Sequence, residues 1–311
     1  MKNNIKKKNL KSKSVDVNDR NNFLGDDFPT GPIRYTLRND YMFKAVLQKN
    51  EKALKGLLAA LLSIPVKDIL GIEIMNPIEL GEAVDDKTCI LDIKVKLNNS
   101  KIINIELQVA YFKDWVERSL TYLCKMFDNI HAGQKYGEVL PTYHIGILDF
   151  WLPEKTKEFY SEYRLLNVNN HELYSSKFGI NVLNLKAVED DSVTKDLGDL
   201  YEWAKLFKAT TWEEIKMLAD KNEYIADTVV TLRQLSDDEK VKLQAEARWK
   251  YEHDIASYIG QGREEGEAIG EARGIEKERQ ANIKKLANFY MNQNPNMTEE
   301  EAFEMAKTIL E

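Results

Sequence analysis

Cysteine is scarce in this 311-residue sequence, which contains only Cys89 and Cys124. Two cysteines at this separation provide neither a disulfide framework nor the closely spaced ligand pairs of a zinc site. Long apolar runs are also lacking, and none approaches the roughly 20 residues that a membrane-spanning helix needs. We therefore expect a soluble, cytoplasmic protein in a reducing compartment, without a membrane partner.

Several catalytic motifs are missing as well. The four histidines form no HExxH zinc motif, no GxSxG nucleophile elbow occurs, and no nucleotide-binding glycine fingerprint follows a predicted strand. The formal net charge is −7, which argues against a uniformly basic surface for nucleic acid. Any contact with DNA must therefore come from local patches.

The chain changes character along its length, and five segments can be distinguished. Residues 1–28 are polar and lysine-rich at the start, which predicts a disordered basic tail. Residues 29–190 mix helix and strand patterns, whereas residues 191–258 are patterned as helices throughout. Residues 259–280 form a helical linker with glycine at every fourth position, and residues 281–311 are predicted to be a helix pair.

The first helical pattern covers residues 38–64 as one run and stops at Pro65. Asn39 or Asp40 can cap its start, because a short polar side chain accepts hydrogen bonds from the first free backbone N–H groups.

Residues 111–135 are predicted to be a second helix, and we interpret its aromatic side chains as core packing rather than as platforms for nucleobases. Its apolar face consists of Trp115, Leu120, Leu123, Phe127 and Ile130. A nearly continuous apolar run from Thr142 predicts a strand buried on both faces, and residues 160–187 contain a further strand pair. These elements predict an α/β fold with a mixed sheet flanked by helices, followed by an α-helical C-terminal region.

The segment from Lys87 to Ala110 predicts a β-hairpin with a turn at Asn98-Asn99-Ser100. In both arms apolar and polar residues alternate, so each arm has one apolar and one polar face. A three-residue turn centred on Asn99 pairs residues whose numbers sum to 198. Asp92 then lies opposite Glu106 on the polar face.

Two carboxylates placed opposite each other in a hairpin repel one another. At about 5 Å and an effective dielectric of about 20 the repulsion is on the order of 3 kcal/mol. Hard oxygen ligands at this separation suit Mg²⁺ or Mn²⁺, which would turn the repulsion into ligation. The alternative is a solvated hairpin face whose acids lean apart or pair with Lys94 and Lys96.

A glycine repeat marks the C-terminal half, with Gly262, Gly266, Gly270 and Gly274 at intervals of four. Glycine costs about 1 kcal/mol relative to alanine inside a helix, so the stripe needs a reason. One reason is close approach of a partner helix in a homodimer; the other, which we favour, is a charged, expandable linker. In the last helix Thr298 is the predicted cap, with Glu301 as its capping-box partner.

Taken in order, these motifs resemble the Rpn-type recombination-promoting nucleases, the PD-(D/E)XK nuclease family transposases. The family's N-D-x-x-F opening stands here as Asn39-Asp40-Tyr41-Met42-Phe43, followed by Lys44; its strand aspartate stands as Asp92, and its E-[LM]-Q signature as Glu106-Leu107-Gln108. Arg118 and Tyr122 match its R-x-x-x-Y spacing, and Ile147-Leu148-Asp149-Phe150 matches a later strand. The resemblance covers roughly residues 33–275.

The resemblance implies a restriction-endonuclease-like core and Mg²⁺-dependent cleavage of DNA, with Mn²⁺ as a substitute. It assigns Asp92 and Glu106 as metal ligands and Asp40 as an accessory acid. Gln108 stands where the wider superfamily has lysine; its amide can orient water but carries no charge. Lys94 shares the polar face and could supply that charge, although we expect it to point to water.

The resemblance also leaves other functions open. Arg118 and Tyr122 could contact phosphate, or Tyr122 could only pack. A function from another class is a catalytically weak DNA-binding or oligomeric interaction protein that keeps the nuclease fold and assembles through its C-terminal helices. An RNA nuclease is a third possibility, because phosphodiester chemistry alone does not distinguish the sugars.

Overall fold

The protein is built on a mixed β-sheet, as a computed structural model shows for residues 24–25, 27–76, 78–79, 89–90, 92–155, 157–190 and 198–310. The predicted basic tail therefore lies almost wholly outside the described residues. The strands are β1 (Ile72–Ile74), β2 (Ile78–Glu79), β3 (Cys89–Ile90), β4 (Ile93–Leu97), β5 (Lys101–Gln108), β6 (Thr142–Leu148), β7 (Tyr160–Leu166) and β8 (Leu173–Asn184).

Six of these strands form one sheet in the order β1-β4-β5-β6-β8-β7, and β2 pairs with β3 separately. The pairs β5–β6 and β6–β8 are parallel and the others are antiparallel. The predicted hairpin register is confirmed, since Leu97 pairs with Lys101 and Ile93 with Ile105. Asn98 and Asn99 form the turn at positive φ, which asparagine tolerates better than most residues. This mixed sheet confirms the predicted α/β class.

Helices cover both faces of the sheet. They are α1 (Asp40–Lys49), α2 (Glu51–Leu62), α3 (Trp115–Phe127), α4 (Gly198–Lys208), α5 (Trp212–Ala219), α6 (Glu223–Ser236), α7 (Glu239–Gln293) and α8 (Glu299–Leu310). The apolar side chains of β4, β5 and β6 pack into one core with α1, α2 and α4–α6. This arrangement places α1 beside the β4–β5 hairpin.

The first helical run is not one helix, as we had predicted, but two helices divided at Asn50. The Asn50 side chain accepts a hydrogen bond from the backbone N–H of Ala53 and thereby caps α2. Its amide group also donates to the backbone oxygen of Asp227 and to the hydroxyl of Thr231, both in α6. Because this buried side chain binds another helix, the break is fixed by a long-range contact that periodicity does not reveal.

The opposite face of the sheet is covered by α3, which is shorter than the helix predicted over residues 111–135. Ile130 lies beyond its end, and Leu120 is exposed. Tyr111 and Phe112 precede the helix and are exposed too, so their assignment to the core was wrong. A close approach brings α3 onto β6: a Cβ on Gly146 would lie 2.3 Å from a ring carbon of Trp115.

Because α3 packs on the polar side of the hairpin, that side is not a solvated face. The side chain of Lys94 is buried, with 9% of the residue exposed, so our expectation that it points to water was wrong. Glu106, on the same side of β5, is 6% exposed.

The C-terminal part contains a single 55-residue helix, α7, where we had predicted a helix ending near Tyr258, a helical linker and another helix. The chain divides into two compact units, residues 1–250 and 251–311. Val241 and Ala245, at the start of α7, belong to the core of the first unit. In the second unit α8 packs on the end of α7 and begins with the predicted capping box of Thr298 and Glu301.

The segment boundaries given by the sequence remain a prediction, although the structure adds that α4–α6 share their core with the sheet. Within the described part of the chain, no helix combines the length and the apolar content needed to cross a membrane.

Candidate active site

Three acidic side chains proposed from the sequence meet where α1, the hairpin and α3 come together. Asp40 is the first residue of α1, Asp92 directly precedes β4, and Glu106 lies in β5. The negative charge of Asp92 helps to raise the pKa of Glu106, and that of Asp40 helps to raise the pKa of Asp92. The sheet register and the packing of α1 therefore bring together residues that are far apart in sequence.

Asp92 is held on both of its carboxylate oxygens. The backbone N–H of Leu107 donates to Oδ2 at 3.1 Å, and Nζ of Lys44 lies 2.8 Å from Oδ1. Burial and the negative charge of Asp40 raise the pKa of Asp92, although Lys44 opposes them. The negative charges of Asp92 and Asp40 are thus close enough to repel each other.

Lys44 is the cation between the two aspartates. It lies one helical turn after Asp40 on α1, and its Nζ is 2.9 Å from Oδ1 of that residue as well as bonded to Asp92. Burial tends to lower the pKa of Lys44, but the two carboxylates outweigh it and hold the pKa above its usual value. Lys44 therefore stays protonated at neutral pH.

Asp40 has a further partner, because Nε of Arg248 in α7 lies 3.1 Å from its Oδ2. Asn39 caps α1 by accepting a hydrogen bond from the N–H of Met42, as predicted for this position. Its amide group also donates to the backbone oxygen of Ala245 at 3.1 Å. The start of α1 is thus bound to the start of α7.

Glu106 has one bound and one unbound oxygen. The guanidinium of Arg118 binds Oε1, whereas Oε2 is buried and has no hydrogen-bond partner within the described residues. Burial, and after it the charge of Asp92, raise the pKa of Glu106 to about 7. A buried carboxylate oxygen without a partner is costly, so this atom calls for a ligand.

Behind Glu106 lies His144 of β6, which is completely buried. Burial, reinforced by the charge of Arg118, lowers its pKa to about 3, so the ring is neutral. The amide nitrogen of Asn104 is 3.1 Å from Nδ1, so Nδ1 accepts and the ring proton lies on Nε2. Nε2 lies 3.6 Å from Oε2 of Glu106, beyond hydrogen-bond distance.

Gln108, at the end of β5, has its amide engaged at both ends. Its oxygen accepts from Arg118 at 2.6 Å, and its nitrogen donates to the backbone oxygen of Ala110 at 2.9 Å. Arg118 therefore holds Glu106 and Gln108 together, with Tyr122 beside its guanidinium. The positive charge beside Asp92 comes from Lys44 and not from position 108.

The donor set fits a hard divalent cation. Asp92, Glu106 and Asp40 offer carboxylate oxygens, one of them the unpartnered Oε2 of Glu106, and their mutual repulsion would fall on binding Mg²⁺ or Mn²⁺. Over the residues that the structure describes, no group of three or more His, Cys, Asp or Glu side chains is preassembled at ligating distances. Lys44 and Arg118 bind the carboxylates instead.

The sequence motifs contained Lys44 and Arg118 but did not give their partners. The spacing of Asp40 and Lys44, four residues apart in a helix, was the available signal for the first. The sequence gives no signal for His144, because its position behind Glu106 depends on the parallel pairing of β5 and β6.

The family described as PD-(D/E)XK nuclease family transposase matches residues 37–262, more than half of the chain. No curated protein and no solved structure matches the sequence. The matched range begins before α1 and ends within α7, so it includes every residue of the site described above.

Proposed function

Because this chain belongs to the PD-(D/E)XK nuclease family transposases, we propose that it is a metal-dependent endonuclease that hydrolyses the phosphodiester bonds of DNA. The observation that carries the proposal is the cluster of buried acids, in which Oε2 of Glu106 has no partner within the described residues. Asp92 and Glu106 are the proposed ligands of Mg²⁺, with Mn²⁺ as a substitute. DNA breaks made at this site would promote recombination.

Each neighbouring residue has a proposed task. A divalent ion held by Asp92 and Glu106 would lower the pKa of a bound water and neutralise charge on the scissile phosphate. Asp40 holds Lys44 beside the ligand Asp92, where its ammonium offers the positive charge that Gln108 lacks. Gln108 positions Arg118, which in turn orients Glu106.

The proposed partners are DNA and a second copy of the chain. The glycine stripe is compatible with the second, because Gly262, Gly266, Gly270 and Gly274 lie in open space and carry no side chain that would keep a partner helix away. One side of this part of α7 is thus smooth enough for a partner helix to approach closely. A dimer would carry two copies of the site, one for each strand of a duplex.

A second candidate function is a catalytically weak DNA-binding protein that keeps the fold. It is favoured by the ion pairs of Lys44 and Arg118, which already compensate the acids without a metal. The two functions differ in what they require of Asp92. A nuclease loses activity without this carboxylate, whereas a binder keeps its affinity for DNA or gains some as repulsion of phosphate falls.

The test is nicking of supercoiled plasmid with Mg²⁺ or Mn²⁺ by the wild type, by Asp92→Ala and by the matched control Asp220→Ala, whose residue is exposed at the end of α5. We expect metal-dependent nicking by the wild type and the control and none by Asp92→Ala, with all three folded by circular dichroism. Equal nicking by all three would attribute the activity to a contaminant. No nicking with retained DNA binding would favour the second function.

A further inference from the structure

Two aromatic side chains are exposed immediately beside the candidate active site. The chain leaves β5 at Gln108, and Tyr111 and Phe112 follow before α3 begins at Trp115. Tyr111 is 50% exposed and Phe112 is 38% exposed. Single exposed apolar residues are common on protein surfaces, so the position of this pair and not its exposure is what matters.

Phe112 is separated from the acids by one side chain. Its ring centroid lies 4.6 Å from Cζ of Arg118, and the same guanidinium binds Glu106 and Gln108. The Arg118 guanidinium therefore contacts both the Phe112 ring and the Glu106 carboxylate. Phe112 is thus an exposed aromatic ring that Arg118 links directly to the proposed metal ligand Glu106.

Tyr111 lies at the same end of the sheet and contacts the segment that follows β6. Its ring makes an edge contact with Phe150, with centroids 5.3 Å apart and planes at 87°. Phe150 follows Asp149, whose backbone N–H donates to the backbone oxygen of Gln108 at 3.0 Å. This contact fixes the ring beside the end of β5 and still leaves half of its surface accessible.

Exposed aromatic rings beside a phosphate-binding site are suited to stack nucleobases, whatever the sequence of the nucleic acid. A base inside a duplex has both faces covered by its neighbours, so only an unpaired or extruded base can stack on a protein ring. The nearby guanidinium adds attraction both for the base and for its phosphate.

We propose that Tyr111 and Phe112 form a stacking platform for an unpaired nucleobase next to the scissile phosphate. The proposal rests on the proposed nuclease function and specifies its substrate class: DNA with unpaired nucleotides, such as single strands and frayed or distorted duplexes, in preference to intact duplex.

The platform can be tested without any cleavage. A single-stranded oligonucleotide containing 2-aminopurine is titrated, in EDTA, with the wild type, Tyr111→Ala, Phe112→Leu and the control Tyr174→Ala, whose residue lies in β8 and is 81% exposed. Stacking quenches the probe, so we expect quenching by the wild type and the control. We expect each platform variant to quench less and to bind about tenfold more weakly.

Cleavage gives the second readout. With Mg²⁺ or Mn²⁺, the ratio of the rates on single-stranded and on fully paired oligonucleotides should fall about tenfold in Tyr111→Ala and stay unchanged in Tyr174→Ala. Equal quenching by Tyr111→Ala and the wild type, or equal rates of the wild type on both substrates, would overturn the platform. Quenching without metal-dependent cleavage would leave the platform standing and refute the nuclease, whereas cleavage without quenching would do the reverse.

Discussion

Replacing Glu106 by glutamine should make the metal-free protein more stable at alkaline pH while it removes a proposed metal ligand. Burial and the charge of Asp92 raise the pKa of Glu106 from 4.5 to about 7. Between pH 4.5 and about pH 7 the folded protein therefore holds a proton on Glu106 that the unfolded chain has released. Its free energy of unfolding falls as the pH rises through this interval, because stability decreases wherever the native state binds more protons.

The size of the effect follows from the interval. A difference of 2.5 between the two pKa values of Glu106 corresponds to about 3 kcal/mol, since one unit is worth about 1.4 kcal/mol. The penalty is small at pH 5 and nearly complete at pH 8. Glu106→Gln keeps the shape and the oxygen that Arg118 binds, but it carries no charge to bury. Its advantage over the wild type should therefore grow by between about 2 and 3 kcal/mol from pH 5 to pH 8.

The assay is urea denaturation in EDTA at both pH values, followed by tryptophan fluorescence. All five tryptophans lie within residues 1–250, so the signal reports on the first unit alone. Glu117→Gln, an exposed glutamate on α3, is the matched control and should show no such trend. A gap between Glu106→Gln and the wild type that is the same at pH 5 and pH 8 would refute the reasoning. At pH 8, added Mg²⁺ should stabilise the wild type but not Glu106→Gln.

Other substitutions test the remaining features of the structure. Lys44→Met should lower the nicking rate about a hundredfold, the usual size for loss of one charge-stabilising group, and Lys44→Arg should restore part of it. Asn50→Ala should lower the free energy of unfolding by about 2 kcal/mol in urea denaturation, because it removes the α2 cap and two further buried hydrogen bonds to α6. Gly146→Ala should cost at least about 1–3 kcal/mol through its clash with Trp115, and Trp115→Phe should relieve part of this cost in the double variant. In a monomer, Gly266→Ala should stabilise the helix by about 1 kcal/mol, which circular dichroism would show as higher helix content on heating. A lower dimer affinity in analytical sedimentation would instead show that a partner helix contacts the stripe.

The hairpin was predictable in detail because its information is local. Alternation in both arms and a polar turn fix which residues face each other, and a slip by one residue would put Ile103 and Ile105 on the wrong face. The proximity of Asp92 and Glu106 follows from this register alone. The strand from Thr142 was equally clear, because a nearly continuous apolar run is typical of a strand covered on both faces, and six of the seven residues of β6 are buried.

The parts that could not be predicted depend on contacts between distant segments. Asn50 divides a helical pattern because α6 offers it partners, and Lys44 reaches Asp92 only because α1 packs beside the hairpin. In α7 the glycines suggested separate segments, yet the propensity cost of each is small against that of breaking a long helix. Alternation assigned the apolar face of the hairpin correctly, but the partner of a polar side chain is a property of the assembled core.

The contacts between α1 and the start of α7 have a consequence for synthesis of the chain on the ribosome. Asn39 and Asp40 emerge early, whereas their partners Ala245 and Arg248 emerge about two hundred residues later. Until then Asn39 lacks its hydrogen bond to Ala245, and Asp40 has Lys44 but not Arg248 as an ion-pair partner. A nascent or prematurely terminated chain therefore carries an unfinished acid cluster, and the candidate site is completed only when the whole first unit has been made.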